Sequence, residues 1–221
     1  MRRFDIDIIS ILEYAGLCAF AASGAYTAIS RKLDVFGVYI LAVVTAAGGG
    51  VIRDIITDSG IPMFFSDYSM LPCIFIPATA VIVLRGNFRY RTFFTAIDAV
   101  GFAAFVTSAG LKAIQNGYNF LLFLFVCLIT GVGGGILRDI LVNVKPVIFR
   151  RDIYATAGIA GAAVLWFLYP VAGRDAGAYA SMVLIVVLRM FCYCKKINLP
   201  VVRSGGLRTY EKDHPKEETL P

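Results

Sequence analysis

The chain has 221 residues, of which 58% are hydrophobic and 16% charged, and its mean hydropathy is +0.75. This composition excludes a soluble globular domain of this size and indicates a membrane protein. The formal net charge of +6 comes from short basic clusters between apolar runs and not from one basic face, so nucleic acid is not an expected partner.

Apolar runs of the length needed to cross a bilayer, about 20 residues as a helix, recur along the whole chain. They predict an all-α membrane protein with seven transmembrane helices. The third run carries Pro72 and Pro77, so we expect it to be bent or to start irregularly. The seven predicted spans are residues 8–30, 35–57, 68–84, 92–114, 118–143, 153–169 and 177–194.

Loops with many basic residues alternate along the chain with loops that have few, and this alternation predicts the orientation of the chain. The side expected to be cytoplasmic carries Arg31, Lys32, Arg85, Arg89, Arg91, Lys145, Arg150, Arg151, Lys195, Lys196, Arg203 and Arg208. The opposite side holds only Arg2, Arg3 and Arg174. We therefore expect the amino terminus outside and the carboxy terminus in the cytoplasm, where the polar residues 197–221 form a disordered tail.

The residue types that carry enzyme chemistry are sparse. The only histidine, His214, lies in the polar tail, and Cys192 and Cys194 lack the spacing usual for zinc. No nucleophile with a base, no P-loop and no metal cluster can be assembled from the sequence. The chain is therefore predicted not to be an enzyme and to need no cofactor or fixed metal.

One motif stands out against the apolar background and occurs twice. The segment TAAGGGVIRDII at 45–56 returns 85 positions later as TGVGGGILRDIL at 130–141. Glycine in a helix interior costs about 1 kcal/mol relative to alanine, and ionisable residues at membrane depth usually mark a functional site. The repeated positions are Gly48, Gly49, Gly50, Arg53 and Asp54, and then Gly133, Gly134, Gly135, Arg138 and Asp139.

The similarity extends beyond the motif. At the same offset Glu13 aligns with Asp98, and Phe20 aligns with Phe105, without a gap. Because each repeat holds three spans, an odd number, the second copy must enter the membrane from the opposite side. The sequence thus predicts an inverted 3+3 repeat plus a seventh helix, with boundaries at residues 1–84, 85–170 and 171–196.

The glycine triplets have two interpretations that can both hold. They can bend or unwind the helix at membrane depth, where uncovered carbonyl groups would line a wet pathway and bind cations. They can also form a close-packing surface on which two backbones approach each other.

The charged residues of the motif should flank the middle of the membrane. By the inverted symmetry Arg53 is expected toward the outside and Arg138 toward the cytoplasm, each about 10 Å from the midplane at 1.5 Å per residue. Asp54 and Asp139 either neutralise these arginines or turn to the opposite helix face.

Three further charges lie inside apolar runs. Glu13 and Asp98 are either pore-lining groups or hydrogen-bonded partners of the arginines. Lys112, near the end of the fourth span, either extends to the membrane surface or lies in a pathway as a voltage-sensitive charge.

Two GGGxxRD segments in a seven-span chain with an inverted repeat resemble the prokaryotic trimeric intracellular cation (TRIC) channels, catalogued also as a glycine-transporter domain that occurs twice. The resemblance covers about residues 8–194. It implies a homotrimer in the inner membrane of a bacterium or archaeon, in contact with membrane lipid. It also implies one pore per protomer for monovalent cations, chiefly K⁺, with the glycine triplets kinking the second and fifth helices.

The same sequence features also fit a second function. Inverted repeats with broken helices at the midplane are also a plan of secondary carriers. Paired arginine and aspartate side chains can hold a carboxylate and an ammonium group. The alternative is therefore a carrier for glycine or another small zwitterion.

Overall fold

The computed structural model describes residues 7–84, 91–149 and 153–197, and these residues form helices joined by short loops. The eight α-helices of this part of the chain are α1 (Ile8–Ser30), α2 (Val35–Ile56), α3 (Met63–Ser66), α4 (Met70–Val83), α5 (Arg91–Gln115), α6 (Phe120–Leu141), α7 (Ile153–Ala172) and α8 (Arg174–Lys195). A 3₁₀ turn, Val147–Phe149, precedes α7.

Some sequence predictions concern residues outside the described ranges. These are the tail beyond Ile197 and the basic residues Arg2, Arg3, Arg85, Arg89, Arg150, Arg151, Arg203 and Arg208, together with the side chain of Arg91.

Six of the helices are long and apolar enough to cross a membrane: α1, α2, α5, α6, α7 and α8. The predicted third span is the exception, because α4 has only 14 residues and rises about 21 Å at 1.5 Å per residue. Pro72 lies in its first turn, where a missing N–H is tolerated, whereas Pro77 lies inside the helix and removes one helical hydrogen bond. The all-α fold with seven membrane helices is confirmed, with a shortened third span.

The two halves of the chain pack on each other through equivalent elements. Phe20 of α1 meets its repeat equivalent Phe105 of α5 edge to face, with ring centroids 5.1 Å apart. Each ring also lies against the glycine one turn before the other ring, Gly16 or Gly101. The core is therefore built on paired contacts between the repeats, and α8 packs outside this pair, against α5 and α7.

Equivalent helices also begin with equivalent caps. The Asp34 side chain accepts a hydrogen bond from Gly37 N at 2.7 Å at the start of α2. At the start of α6, the Asn119 side chain accepts one from Leu122 N at 2.9 Å. Positions 34 and 119 are again 85 residues apart, so the repeat determines where both helices begin.

Replacing Asn119 with alanine removes the cap of α6 and leaves its first backbone N–H groups without this partner. We expect the free energy of unfolding to fall by about 1 kcal/mol, the usual effect of losing a side-chain cap. Thermal unfolding in detergent measures it. Asn119→Asp is the control, since a carboxylate caps as well as an amide, and equal losses in both variants would contradict the capping role.

Candidate functional site

The centre of the molecule is the crossing of α2 and α6 at the two glycine triplets. A Cβ atom placed on Gly49 would overlap the carbonyl O of Thr130, and one placed on Gly134 would overlap the carbonyl O of Thr45. Residue 49 thus opposes 130 while 134 opposes 45, so the helices run antiparallel. Only glycine allows this approach of the two backbones.

The last glycine of each triplet differs from the central one. A Cβ on Gly50 would meet nothing closer than Arg53 Nη2 at 4.0 Å, and one on Gly135 nothing closer than Tyr154 Oη at 3.6 Å. Both helices continue without interruption through the triplets. The backbone is therefore not unwound, and packing accounts for the central glycines, while the pore-lining role of the triplets remains a prediction.

One turn beyond the first triplet lies the first charge cluster, which consists of Glu13, Arg53, Asp54 and Lys112. Arg53 Nη1 contacts Glu13 Oε1 at 3.2 Å, and Arg53 Nε contacts Asp54 Oδ1 at 2.7 Å. Lys112 Nζ lies 2.6 Å from the same Glu13 Oε1, and Met63 N donates to Asp54 Oδ2 at 3.0 Å. The cluster joins α1, α2 and α5 through charge-assisted hydrogen bonds.

One turn beyond the second triplet lies the second charge cluster, which consists of Asp98, Arg138, Asp139 and Arg189. Arg138 Nη1 contacts Asp98 Oδ1 at 2.8 Å, and Arg138 Nε contacts Asp139 Oδ1 at 2.9 Å. Arg138 also donates to Ser23 Oγ of α1 at 2.8 Å, and Val147 N donates to Asp139 Oδ2 at 2.9 Å. These contacts repeat the first cluster in the other half of the chain.

Arg189 of α8 was missed in the sequence predictions. Its Nη2 contacts Asp98 Oδ2 at 2.9 Å, its Nη1 donates to the Asp98 carbonyl at 2.9 Å, and its guanidinium lies 3.9 Å from the ring centroid of Tyr154. The signal was present, because Arg189 is the only charged residue in the predicted seventh span. An ionisable residue within a span is itself a reason to expect a site.

The structure thus combines the predicted charges into two compact groups. Asp54 and Asp139 pair with the adjacent arginines, and Glu13 and Asp98 are the partners of those arginines from the neighbouring helix. Each cluster holds two acidic and two basic side chains, so its formal charge is zero. Buried ion pairs of this kind must be balanced, because an uncompensated charge in the interior is costly.

Each cluster borders an open cavity. A cavity of about 210 Å³ is lined by Arg53, Asp54 and Lys112 of the first cluster, together with residues at the ends of α2 and α5. A larger cavity of about 910 Å³ is lined by all four residues of the second cluster. Polar groups at the base of two cavities, on either side of one helix crossing, are a suitable arrangement for a transmembrane pathway.

Comparison with known proteins gives consistent matches. The family model described as glycine transporter matches the chain twice, at residues 10–85 and 95–170. A UPF0126 membrane protein of Deinococcus radiodurans is 37% identical over 195 residues, covering 87% of this chain and 91% of its own length. The UPF0126 inner membrane protein YadS of Escherichia coli K12 is 35% identical, covering 86% and 93%.

A solved structure shows the same fold. The TRIC trimeric intracellular cation channel orthologue from Rhodobacter sphaeroides superposes with a TM-score of 0.81 at 30% identity, covering 86% of this chain and 99% of that one. The doubled family match agrees with the repeated charge clusters at the α2–α6 crossing. The chain therefore belongs to the TRIC channel family, as a prokaryotic-type member whose two halves each match the glycine-transporter model.

Proposed function

We propose that the protein is a potassium-permeable monovalent cation channel with one pore per protomer, lined by the second and fifth spans, which are α2 and α6. The observation that supports this most is the pair of neutralised charge clusters, each at the base of a cavity on one side of the α2–α6 crossing. The related structures described as cation channels support the same function.

The pathway that we propose runs from one cavity to the other past the glycine crossing. Arg53 follows Gly49 by four residues, and Arg138 follows Gly134 by four, so each arginine lies about 6 Å along its helix from the crossing at 1.5 Å per residue. At the crossing the backbones are too close to admit even a methyl group. Conduction therefore requires α2 and α6 to separate, which would expose the Thr45 and Thr130 carbonyls as cation ligands.

Arginine beside a cation pathway does not contradict this function. The Nε of each arginine is already bound by the adjacent aspartate, and its Nη1 is bound by a carboxylate from the neighbouring helix. A neutral cluster does not repel an approaching cation as a free guanidinium would. The proposed pore-lining or gating residues are Gly48, Gly49, Gly50, Gly133, Gly134, Gly135, Arg53, Asp54, Arg138, Asp139, Glu13, Asp98 and Lys112.

We also propose the assembly and the location of the protein. The related channel is described as trimeric, which supports a homotrimer, and YadS is described as an inner membrane protein. Large apolar side chains such as Phe167 and Val183 are exposed on α7 and α8, where lipid or another protomer would cover them. The amino terminus is proposed to lie outside, with the first charge cluster toward the outside and the second toward the cytoplasm.

The carrier alternative is favoured by one observation, the match to a model described as glycine transporter. A glycine carboxylate would need a guanidinium that is free to bind it. Both motif arginines already bind two carboxylates each. The ion-pair geometry therefore supports the channel over the carrier.

The decisive experiment compares K⁺ and glycine flux in the same liposomes containing the purified protein. A channel is expected to release K⁺ down its gradient without saturation and to show unitary currents in a planar bilayer. Saturable glycine counterflow without unitary currents would establish the carrier instead. Empty liposomes serve as the control.

A further inference from the structure

Two cysteine thiols meet where α1 packs against α4. The Cys18 side chain of α1 lies within hydrogen-bonding reach of the Cys73 side chain of α4. Both thiols are free and half-buried, and the Cys73 thiol also donates to the Ser69 carbonyl at 3.7 Å. Neither thiol belongs to a charge cluster, so the proposed conduction pathway does not account for this pair.

A polar contact one turn away supports the same register of the two helices. Tyr14 Oη lies 2.7 Å from Ser69 Oγ and donates to Asp67 Oδ2 at 3.1 Å. Residues four positions apart lie on the same face of a helix. One turn along α1 and α4 from the contact of Tyr14 with Ser69 therefore leads to Cys18 and Cys73, and the two thiols face each other.

The repeat shows that the thiol pair is an addition of the first half of the chain. The equivalent positions 85 residues later are Ala103 and Gly158, on α5 and α7, which also pack against each other. Residues this small let two helices approach closely. The repeated packing therefore needs no thiol at these positions, and it brings the backbones of Cys18 and Cys73 to the short separation that a disulfide requires.

Pro77 gives the turn of α4 that holds Cys73 room to adjust. In an α-helix the N–H of residue 77 would bind the carbonyl of residue 73, and proline has no N–H. Pro77 lies inside α4, so the Cys73 carbonyl lacks this donor and the helix can bend at this turn. The sulfur atoms of a disulfide lie roughly 2 Å apart, and a turn that can bend helps the two thiols to reach that separation.

The thiol pair lies toward the side of the membrane where disulfides form, in the orientation proposed above. Both α1 and α4 begin at the side proposed to be outside, and Ser69, one turn from Cys73, is exposed. The space outside a bacterial inner membrane is oxidising. A disulfide between Cys18 and Cys73 can therefore form and persist there.

The oxidant that this step needs is another disulfide, either of a small molecule or of a protein. Cys73 attacks one sulfur of that acceptor, which gives a mixed disulfide and releases one acceptor thiol. Cys18 then attacks the Cys73 sulfur and displaces the second acceptor thiol. The exchange converts two cysteine thiols and one acceptor disulfide into one disulfide between α1 and α4 and two acceptor thiols, so electrons and protons balance.

A disulfide at this place would restrain the outer half of the proposed pathway. Helix α1 carries Glu13 of the first charge cluster, and α2 packs against both α1 and α4. The segment between α2 and α4 is tied to α1 as well, since Asp67 accepts a hydrogen bond from Tyr14. Conduction as proposed requires α2 to move away from α6. A covalent bond between the two helices that hold α2 therefore lowers the flux.

We infer that Cys18 and Cys73 form a redox-active thiol pair, which closes to a disulfide on the outer side and lowers the K⁺ flux of the protein. Formation of the bond follows from the packing of α1 on α4. The effect on flux rests on the proposed channel function.

The bond is tested on the purified full-length protein with an aromatic disulfide, dithiobis(nitrobenzoate), followed by peptide mass spectrometry. The expected product is a pair of peptides joined through Cys18 and Cys73, which a reductant separates. In Cys18→Ala the reagent should instead remain on Cys73 as a mixed disulfide. A wild-type protein in which the reagent remains on Cys73, or in which neither thiol reacts, overturns the inference.

Potassium flux in liposomes tests the consequence of the bond. Oxidation should lower the flux of the wild-type protein severalfold, and a reductant should restore it. Cys18→Ala gives the first repeat the residue that the second has at Ala103, so this variant should fold and keep its flux under oxidation. Cys73→Ala should behave in the same way and serves as the second variant.

Cys192→Ala is the matched control, because it removes a thiol of α8 outside the pair. Its flux should fall on oxidation as far as that of the wild-type protein. An equal fall in Cys18→Ala or Cys73→Ala would assign the effect to another cysteine and overturn the inferred regulation.

The two proposals fail separately in these experiments. Potassium flux that is unchanged after the disulfide has formed overturns the regulation and leaves the channel function intact. A disulfide between Cys18 and Cys73 in a protein that carries no K⁺ in either redox state overturns the channel and retains the thiol pair.

Discussion

Gly49→Ala is expected to destabilise the α2–α6 crossing, whereas Gly50→Ala, one residue along the same helix, is expected to be tolerated. A methyl group on residue 49 would overlap the carbonyl O of Thr130, which belongs to a helix backbone and cannot rotate away. The nearest neighbour of a methyl group on residue 50 would be Arg53 Nη2 at 4.0 Å. The two variants differ only in the position of one carbon atom.

The size of the effect follows from two opposing terms. Alanine favours a helix by about 1 kcal/mol relative to glycine, and this gain is the same in both variants. Overpacking of a close contact costs about 1–3 kcal/mol when side chains can adjust, and more when only backbone can move. We therefore expect a net loss of about 2 kcal/mol or more for Gly49→Ala, and a small gain in stability for Gly50→Ala.

Thermal unfolding in detergent and the yield of assembled protein measure both variants. The repeat offers a second matched pair, because Gly134→Ala should behave like Gly49→Ala and Gly135→Ala like Gly50→Ala. A stable Gly49→Ala protein with unchanged flux would show that the crossing adjusts easily, and the proposed constriction would then be wrong.

The repeat made most of this architecture predictable. The doubled GGGxxRD motif identified the two helices that cross. The 85-residue offset made Glu13 and Asp98 equivalent positions, and in the structure these two residues are the ion-pair partners of the motif arginines. The spacing of apolar runs also located the helices, since their length is imposed by the membrane. These features are visible in sequence because they are periodic or repeated.

Contacts made by residues that have no equivalent in the other repeat could not be predicted from the repeat. Arg189 lies on α8, which has no equivalent in the first half, and its contact with Asp98 joins residues 91 positions apart. Lys112 reaches Glu13 across 99 positions, and the repeat places Thr27 at the position equivalent to Lys112. Long-range contacts of single side chains leave no periodic signal.

The glycine triplets show how tertiary packing outweighs local propensity. Three adjacent glycines weaken an isolated helix by about 1 kcal/mol each, which favours a break. In the fold the same absence of side chains lets α2 and α6 approach closely, and the helices remain continuous. Local propensity describes the isolated segment, but contact with the neighbouring helix decides the conformation in the fold.

Arg138→Leu is expected to lower the free energy of unfolding by about 3–5 kcal/mol, the usual effect of leaving a buried charge without its partner. The arginine binds Asp98, Asp139 and Ser23, and all three side chains lie in the interior. Its loss leaves two buried carboxylates with Arg189 as the one cation of the cluster. Arg138→Lys should not rescue the protein, because one ammonium group cannot reproduce the fixed spacing of Nε and Nη1.

The exposed ion pair of Arg174 with Asp7 is the matched control for this variant. Both partners are partly exposed to solvent, so Arg174→Leu should change stability by less than about 1 kcal/mol. Thermal unfolding of the two variants under the same detergent conditions makes the comparison direct. If both variants lose the same stability, the burial of Arg138 does not determine how much it contributes to the free energy of unfolding.

A second substitution separates the charge of the cluster from its packing. Asp139→Asn in the Arg138→Leu background restores neutrality and leaves Asp98 paired with Arg189, while an amide oxygen at residue 139 can still accept the hydrogen bond from Val147 N. The double variant should therefore be more stable than Arg138→Leu alone, by about 1–3 kcal/mol of coupling. If the stability losses of the two substitutions simply add, Arg138 stabilises the protein through its packing and not through its charge. A neutral, folded double variant would then allow K⁺ flux to be measured without the arginine.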